Sequence, residues 1–353
     1  MAGTEATPDS ASRDASFHDV SDANASSSPH PLQRDPTPSR DAGIWLEDGN
    51  LVLIAGDTAF RVHKSQLSRH SDVFDGLLGM PQHLVDDVIP PSLADMCGGC
   101  TVIHLSDTAY DIKRLLHALY DGARHVRPTG AMPFSEVAAL SRMAHKYQID
   151  WLLQESTRRL KTAFPDHFAV WPEDMSTPAV TVDPRDAVEA FNLFRRIDRP
   201  DMLPAALYAC CQLDLGVLVR GVLRADSVSV ENLPTDDLER CLTARRALTT
   251  SNVKLALTLV SGELSPTCPP EVKCGEFFGD CHSCEMQEYF YGADAKILGP
   301  YFSDLIESFL GDEPAICQGC AQMLKDRERA ARLEAWCSLP RYAGVHLEGW
   351  GVA

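Results

Sequence analysis

The sequence predicts an α+β fold: a small sheet with helices, followed by a mainly α-helical C-terminal region. Three features carry that reading. Leu51 to Ala55 is a continuous apolar run, Gly56-Asp57 supplies turn chemistry, and Ala59-Phe60-Arg61-Val62-His63 alternates, which together read as a hairpin with one well-buried arm. Thr101-Val-Ile-His-Leu105 reads as a third strand. Apolar residues at helical spacing fill most of the chain beyond it, so a few strands come first and helices dominate afterwards.

The elements follow in order. Lys64 to Leu78 places Leu67, Val73, Phe74, Leu77 and Leu78 where one or two short helices bury them, and Ser65 is positioned to cap the first. Residues 79–100, with Pro81, Pro90, Pro91 and the Gly98-Gly99 pair, break the pattern and read as a long exposed loop. Ser106 or Asp107 starts a helix whose apolar face is Ile112, Leu115, Leu116, Leu119 and Tyr120, and Gly122 ends it. Two more helices are predicted from Phe134 to Tyr147 and from Ile149 to Leu160, closing a first domain over 41–162.

Residues 163–183 read as a proline-bearing linker. In the next region, 184–262, Asp183-Pro184 gives an N-cap followed by proline at the first helical position. Ala187, Val188, Phe191, Phe194 and Ile197 form the apolar stripe of that helix. Further helices over Met202 to Leu215 and Asp236 to Val260 make an all-helical extension, with Cys210-Cys211 in its core. In the last region, 263–353, Lys325 to Arg332 forms the solvated face of a helix, and Trp336, Leu339, Tyr342 and Trp350 dock the C-terminus on the helical body.

Composition narrows the functional classes. The chain has 353 residues, and 32 Lys+Arg against 50 Asp+Glu gives a net charge of −18. Such a balance argues against holding nucleic acid by counterion release, which needs a basic face. No apolar run approaches the ~18 residues of a membrane helix, and the N-terminus lacks a basic and an apolar signal region, so the expectation is a soluble, unsecreted protein of nucleus or cytoplasm. The 12 cysteines are therefore expected to be mostly reduced. Residues 1–40 hold eight serines, five prolines and the single aromatic Phe17, too little apolar surface to offset ordering entropy, and are expected to be disordered.

The stretch Phe60-Arg-Val-His63-Lys64-Ser-Gln-Leu67-Ser-Arg-His-Ser71-Asp-Val-Phe74 resembles the signature of the BTB/POZ family, F-x-x-H-K-x-x-L followed by S-x-x-F. Leu115-Leu116-His-Ala-Leu119-Tyr120-Asp-Gly122 and Ala144-His-Lys146-Tyr147 resemble two later helices of the same family, in the right order. The likeness covers about residues 44–160. The spacing and the Cys/Trp-bearing tail resemble the large fungal, basidiomycete-like set of such proteins. The resemblance implies a protein-protein interaction module with other proteins as partners, a homodimer or a cullin scaffold among them. It also implies, as alternatives, a substrate adaptor of a cullin-type ubiquitin ligase or a nuclear transcription regulator.

The chain departs from the family at three places. Dimer-forming members place an aspartate before the first strand, paired with a basic residue after H-K; here Asn50 holds that position, Lys64 is the basic half, and Asp48 is the available substitute. No amphipathic helix precedes residue 44 to exchange between partners. Cullin adaptors carry an apolar-x-Glu element in the loop after S-x-x-F, for which Leu84-Val85-Asp86 is the nearest match.

Cofactor chemistry rests on cysteine. Cys281-His-Ser-Cys284 and Cys317-Gln-Gly-Cys320 are two C-x-x-C pairs able to give four thiolates to one tetrahedral zinc, with Cys268 and Cys274 just upstream; reduced core cysteines are the favoured reading, so no cofactor is expected and zinc is the alternative. Cys97-Gly-Gly-Cys100 reads as two loop thiols. His63, at a strand end, is expected to bond a backbone carbonyl. No glycine-rich phosphate loop, G-x-S-x-G or H-E-x-x-H is present, so no catalytic residue is assigned and a non-enzymatic protein is expected.

Overall fold

The structure, a computed structural model, describes residues 38–79, 99–122, 130–171, 177, 179–259, 261–281, 294–299, 306–307, 310 and 315–351. It is a mixed α and β fold with small sheets and a helical C-terminal part. The main sheet holds β1 (Ser39–Trp45), β2 (Leu51–Ala55), β3 (Thr58–Val62) and β4 (Thr101–Leu105) in the order β1-β3-β2-β4. β2 and β3 pair antiparallel, Leu53 opposite Phe60, through a turn that Gly56 enters at φ +57°. β4 runs parallel to β2, with Leu51 opposite Thr101.

All five residues of β2 are buried, which explains why this strand does not alternate. Leu51, Leu53 and Ala55 enter the main core, while Val52 and Ile54 pack with Ala59 on the other face beneath Trp45, Cys100 and Val102. β1 is an element that periodicity did not reveal. It starts at Ser39, inside the stretch expected to be disordered, and lies parallel to β3. The Asp41 carboxylate anchors it, accepting the backbone N–H groups of Gly43 and Ile44 and pairing with Lys113 at 2.8 Å. Residues 1–37 lie outside the described residues.

Helices α1 (Lys64–His70) and α2 (Asp72–Gly79) follow β3 directly. Ser65 does not cap α1, because the helix starts one residue before it; the N–H of Lys64 donates instead to Asn50 Oδ1 at 2.9 Å. Helix α3 (Ala109–Asp121) is capped by Thr108, which accepts the Asp111 N–H, and not by Ser106 or Asp107. Asp107 is occupied elsewhere, by Lys146 and Tyr147. Gly122 ends α3 at φ +55°, as expected. Helices α4 (Phe134–Lys146) and α5 (Asp150–Ala163) complete the first set.

The segment 163–183 is structure as well as connection. It contains a 3₁₀ turn at Phe168–Val170 and β6 (Val180–Thr181), which pairs in parallel with β5 (Met132–Pro133). Helix α6 (Asp186–Arg196) begins after the proline and not at it: Asp183 and Asp186 each accept the other region's backbone N–H, from Arg185 and Asp183 respectively. After a 3₁₀ turn at Pro200–Met202 come α7 (Leu203–Cys211), buried at every residue, and α8 (Leu215–Arg220). A small hairpin of β7 (Val222–Leu223) and β8 (Val230–Glu231) follows, so the extension is not all-helical.

Two long helices, α9 (Thr235–Leu259) and α11 (Gln318–Ala343), pack together, with α10 (Cys274–Cys281) between them in sequence. They run antiparallel: Arg195 bonds both Asp237 in the first turn of α9 and the carbonyl of Ala343 at the end of α11. The main core crosses the expected boundary at 162–184 without a break. Phe134, Phe164 and Phe194 stack edge-on in series, at 6.1 and 5.1 Å between centroids. Trp336 is fully buried against Phe168, Trp171 and Trp350, and Trp350 donates its indole N–H to the Trp336 carbonyl at 2.9 Å. The C-terminal tryptophans are thus docked anchors. Among the described residues no helix is long and apolar enough to cross a membrane.

Candidate functional site

The signature residues converge on one junction between sheet and helices. Phe60, Leu67, Phe74 and Leu116 are at most 1% exposed and fill the main core. The N–H of His63 donates to Tyr120 Oη at 2.8 Å, and its ring lies 3.3 Å from that hydroxyl on one side and 3.3 Å from Asp48 on the other. The expected carbonyl partner is replaced by a hydroxyl and a carboxylate. Asp48 therefore pairs with His63 and not with Lys64, whose ammonium donates to Thr101 Oγ1 at 2.7 Å.

Ser71 ties the α1–α2 joint to α4: its hydroxyl donates to the Tyr147 carbonyl at 2.6 Å and accepts the Phe74 N–H. The Phe74 and Tyr147 rings stack at 4.1 Å, and Tyr147 Oη donates to Asp107 at 2.6 Å. Burial, reinforced by the Asp107 carboxylate, pushes the Tyr147 phenol far above its ordinary pKa, so it stays a donor. Each signature residue thus holds the fold together. Leu84 and Asp86 of the cullin-type loop lie outside the described residues.

A second cluster is ionic and was not foreseen. Arg142 on α4 donates two hydrogen bonds to Asp111 on α3, at 3.1 and 2.8 Å, and a third to Glu189 on α6. Arg224, between β7 and β8, adds a further bond to Asp111 at 2.9 Å. Burial works against the Arg142 charge, but Asp111 and Glu189 outweigh it and hold the guanidinium above its ordinary pKa. Beside this network a cleft of about 430 Å³ is lined by Ser135, Thr181, Asp186, Glu189, Arg224 and Glu231, among others. Burial, with Glu189 and Asp183 nearby, pushes the Asp186 carboxyl up to about 7. Its residues come from four separate segments with no local motif, so nothing short-range in the sequence marks it.

The third cluster is made of thiols. Cys268, Cys274, Cys317 and Cys320 place their sulfurs within 4.8 Å of one another, an arrangement that can bind a metal such as zinc. Cys274 and Cys320 are buried, Cys268 and Cys317 half-buried, and none is in a disulfide. Cys317 and Cys320 belong to the pair read from the sequence. The other half is Cys268 and Cys274, which the C-x-x-C rule passed over because five residues separate them. Cys281 ends α10 with its side chain outside the described residues, and Cys284 lies outside them entirely.

Of the other cysteines, Cys210, Cys211 and Cys241 are packed thiols, and Cys337 is exposed. Cys210 and Cys211 are buried as expected, with Cys211 and Cys241 sulfurs 3.9 Å apart. Burial pushes the Cys210 thiol well up; the Cys241 sulfur, then burial, does the same for Cys211, which keeps both protonated. Cys100 donates to the Gly49 carbonyl at 3.3 Å, while Cys97 lies outside the described residues. No family model matches the chain, and no curated protein matches it.

Proposed function

We propose that the chain is a non-enzymatic protein-interaction module of the BTB/POZ kind, acting as a scaffold or adaptor for other proteins. One observation carries the reading above the rest. The residues that resemble the family signature do the work the signature's chemistry suits: Phe60, Leu67 and Phe74 pack the hairpin onto the helices, while His63, Ser71, Tyr120 and Tyr147 bond across it. The strand order β3-β2-β4, with one antiparallel and one parallel pair, supports the same reading. So do the exposed apolar side chains of Leu215, Val219, Leu223, Val228 and Val230, each more than half exposed on one short stretch of chain, since contiguous apolar surface marks interaction sites.

The partners to test first are a second copy of the chain and the N-terminal domain of a cullin scaffold. Light scattering on the full chain, alone and mixed with that domain, should give a defined dimer or a stoichiometric complex. The double variant Val219→Asp, Val228→Asp, at two solvent-facing positions, should keep its fold and reduce the association if this face carries it. A chain that stays monomeric at tens of micromolar and takes up no cullin domain would overturn both the dimer and the adaptor forms of the proposal.

A further inference from the structure

The four-cysteine cluster stands apart from the signature junction, and its surroundings say what it does. Cys268 sits on the segment between α9 and α10, Cys274 is the first residue of α10, and the other two stand at the N-terminus of α11, where Cys317 is the N-cap and Cys320 falls in the first turn. A tetrahedral zinc with Zn–S bonds of about 2.3 Å spaces its sulfurs roughly 3.8 Å apart, so sulfurs already gathered within 4.8 Å need only a small contraction to reach it.

The backbone prepares the sulfurs for negative charge. The N–H of Cys317 donates to Cys274 Sγ at 3.1 Å, that of Cys320 to Cys317 Sγ at 3.4 Å, and that of Ser265 to Cys320 Sγ at 3.4 Å. Such N–H donors are the outer shell that orients thiolate ligands and disperses their charge. The N-terminus of the 26-residue helix α11 adds a favourable field at two of the four sulfurs. Gly319, between the paired cysteines, suits the fit: a Cβ there would lie 2.5 Å from the Thr267 hydroxyl, so any side chain would displace Thr267 from its place against the helix start.

The packing around the thiols is closed and small. Leu255, Ala256 and Leu259 of α9, Phe278 of α10, Ile316, and Ala321 and Leu324 of α11 form with Cys274 and Cys320 a core separate from the main one. Four protein thiols fill a tetrahedral shell and leave no position for substrate, which is the structural and not the catalytic kind of zinc site.

We infer that Cys268, Cys274, Cys317 and Cys320 bind one structural zinc ion that staples the 261–281 segment onto the adjoining ends of α9 and α11. With these four filling the shell, zinc retention requires neither Cys281 nor Cys284. The zinc supplies to this small core what its few apolar residues do not, and the main core stands without it.

The test uses the full chain, purified without added metal. Elemental analysis should find about one zinc per chain. The Cys281→Ser and Cys284→Ser variants should keep it, while Cys274→Ser and Cys320→Ser should lose it. Because the last two can fail to fold, hydrogen exchange of the wild-type chain before and after a zinc chelator provides an independent reading. Exchange should rise in residues 261–281 and 315–325 and stay unchanged in β2, β3 and α4. A folded chain without metal, iron in place of zinc, zinc lost on changing Cys281 or Cys284, or exchange that is indifferent to the chelator or rises throughout the chain, would each overturn the inference.

Discussion

The main core and the four-cysteine core share two helices yet reach order by different means. The N-terminal half of α9 gives Cys241, Ala244 and Leu248 to the main core, and its C-terminal end gives Leu255, Ala256 and Leu259 to the small one. Helix α11 divides the same way, Trp336 and Leu339 in the first, Ala321 and Leu324 in the second. In the main core apolar area is gathered from segments as distant as Ile44 and Ala343, so burial alone offsets the entropy of ordering. Among the described residues the small core gathers fewer apolar side chains, and small cores are where proteins add staples. With zinc on the four thiols as inferred above, the same helix pair is held by area at one end and by metal ligation at the other.

The comparison breaks most sharply at Arg142. Replacing it by methionine leaves Asp111 and Glu189 buried at 3% and 6% exposure with one guanidinium, Arg224, between them. Removing one partner of a buried ionic cluster costs about 3–5 kcal/mol. Urea unfolding should show that loss, and elemental analysis of the folded fraction should show unchanged zinc. A loss under about 1 kcal/mol would mean that the two carboxyl groups are solvated or protonated.

Phe74→Ala comes next, at about 3 kcal/mol, from a cavity under the Tyr147 ring. Circular dichroism melts would detect it, and wild-type stability would displace Phe74 from the core. Trp350→Ala is smaller, roughly 1–2 kcal/mol, since that half-exposed ring loses one stacked face and one hydrogen bond. Its readout is the fluorescence of Trp336, which should shift as the buried ring gains water. Both changes should leave the zinc site intact.

How far each region was legible in the sequence follows from the same physics. The hairpin, β4 and most helices are written in local periodicity, and Gly122 and the buried Phe74 fell where the pattern put them. β1 was not legible, because Ser39 to Trp45 carries no alternating apolar pattern, only Ala42, Ile44 and Trp45, and its side-chain anchor Asp41 finds its lysine partner, Lys113, far along the chain. Caps were misread where a candidate side chain had a stronger distant partner, as Asp107 has in Lys146 and Tyr147. At the thiol cluster one C-x-x-C pair was legible because two ligands on one turn leave a short-range mark. Cys268 and Cys274 leave none: the ions at Asp111, Arg142, Glu189 and Arg224 are scattered in the same way, and only the fold assembles them.

The smallest predicted effect isolates the cleft beside that ionic cluster. Asp186 holds its proton to about pH 7 in the folded chain, against an unperturbed carboxyl near 3.8, because burial disfavours its charge. Below about pH 4 it is protonated folded and unfolded, and its contribution to stability is fully present. As the pH rises from about 4 to 7 the unfolded chain releases that proton while the folded chain keeps it, so stability falls; above about 7 both are ionised and the deficit is constant. Asp186→Asn cannot ionise, so its advantage over wild type should grow across that window to roughly 1–2 kcal/mol and then level off, the full shift being discounted for partial exposure. Unfolding free energies of the two proteins at pH 4, 6 and 8 decide it. A difference that does not change with pH would place the Asp186 carboxylate in water, and the cleft would lose a proton-holding group of near-neutral pKa.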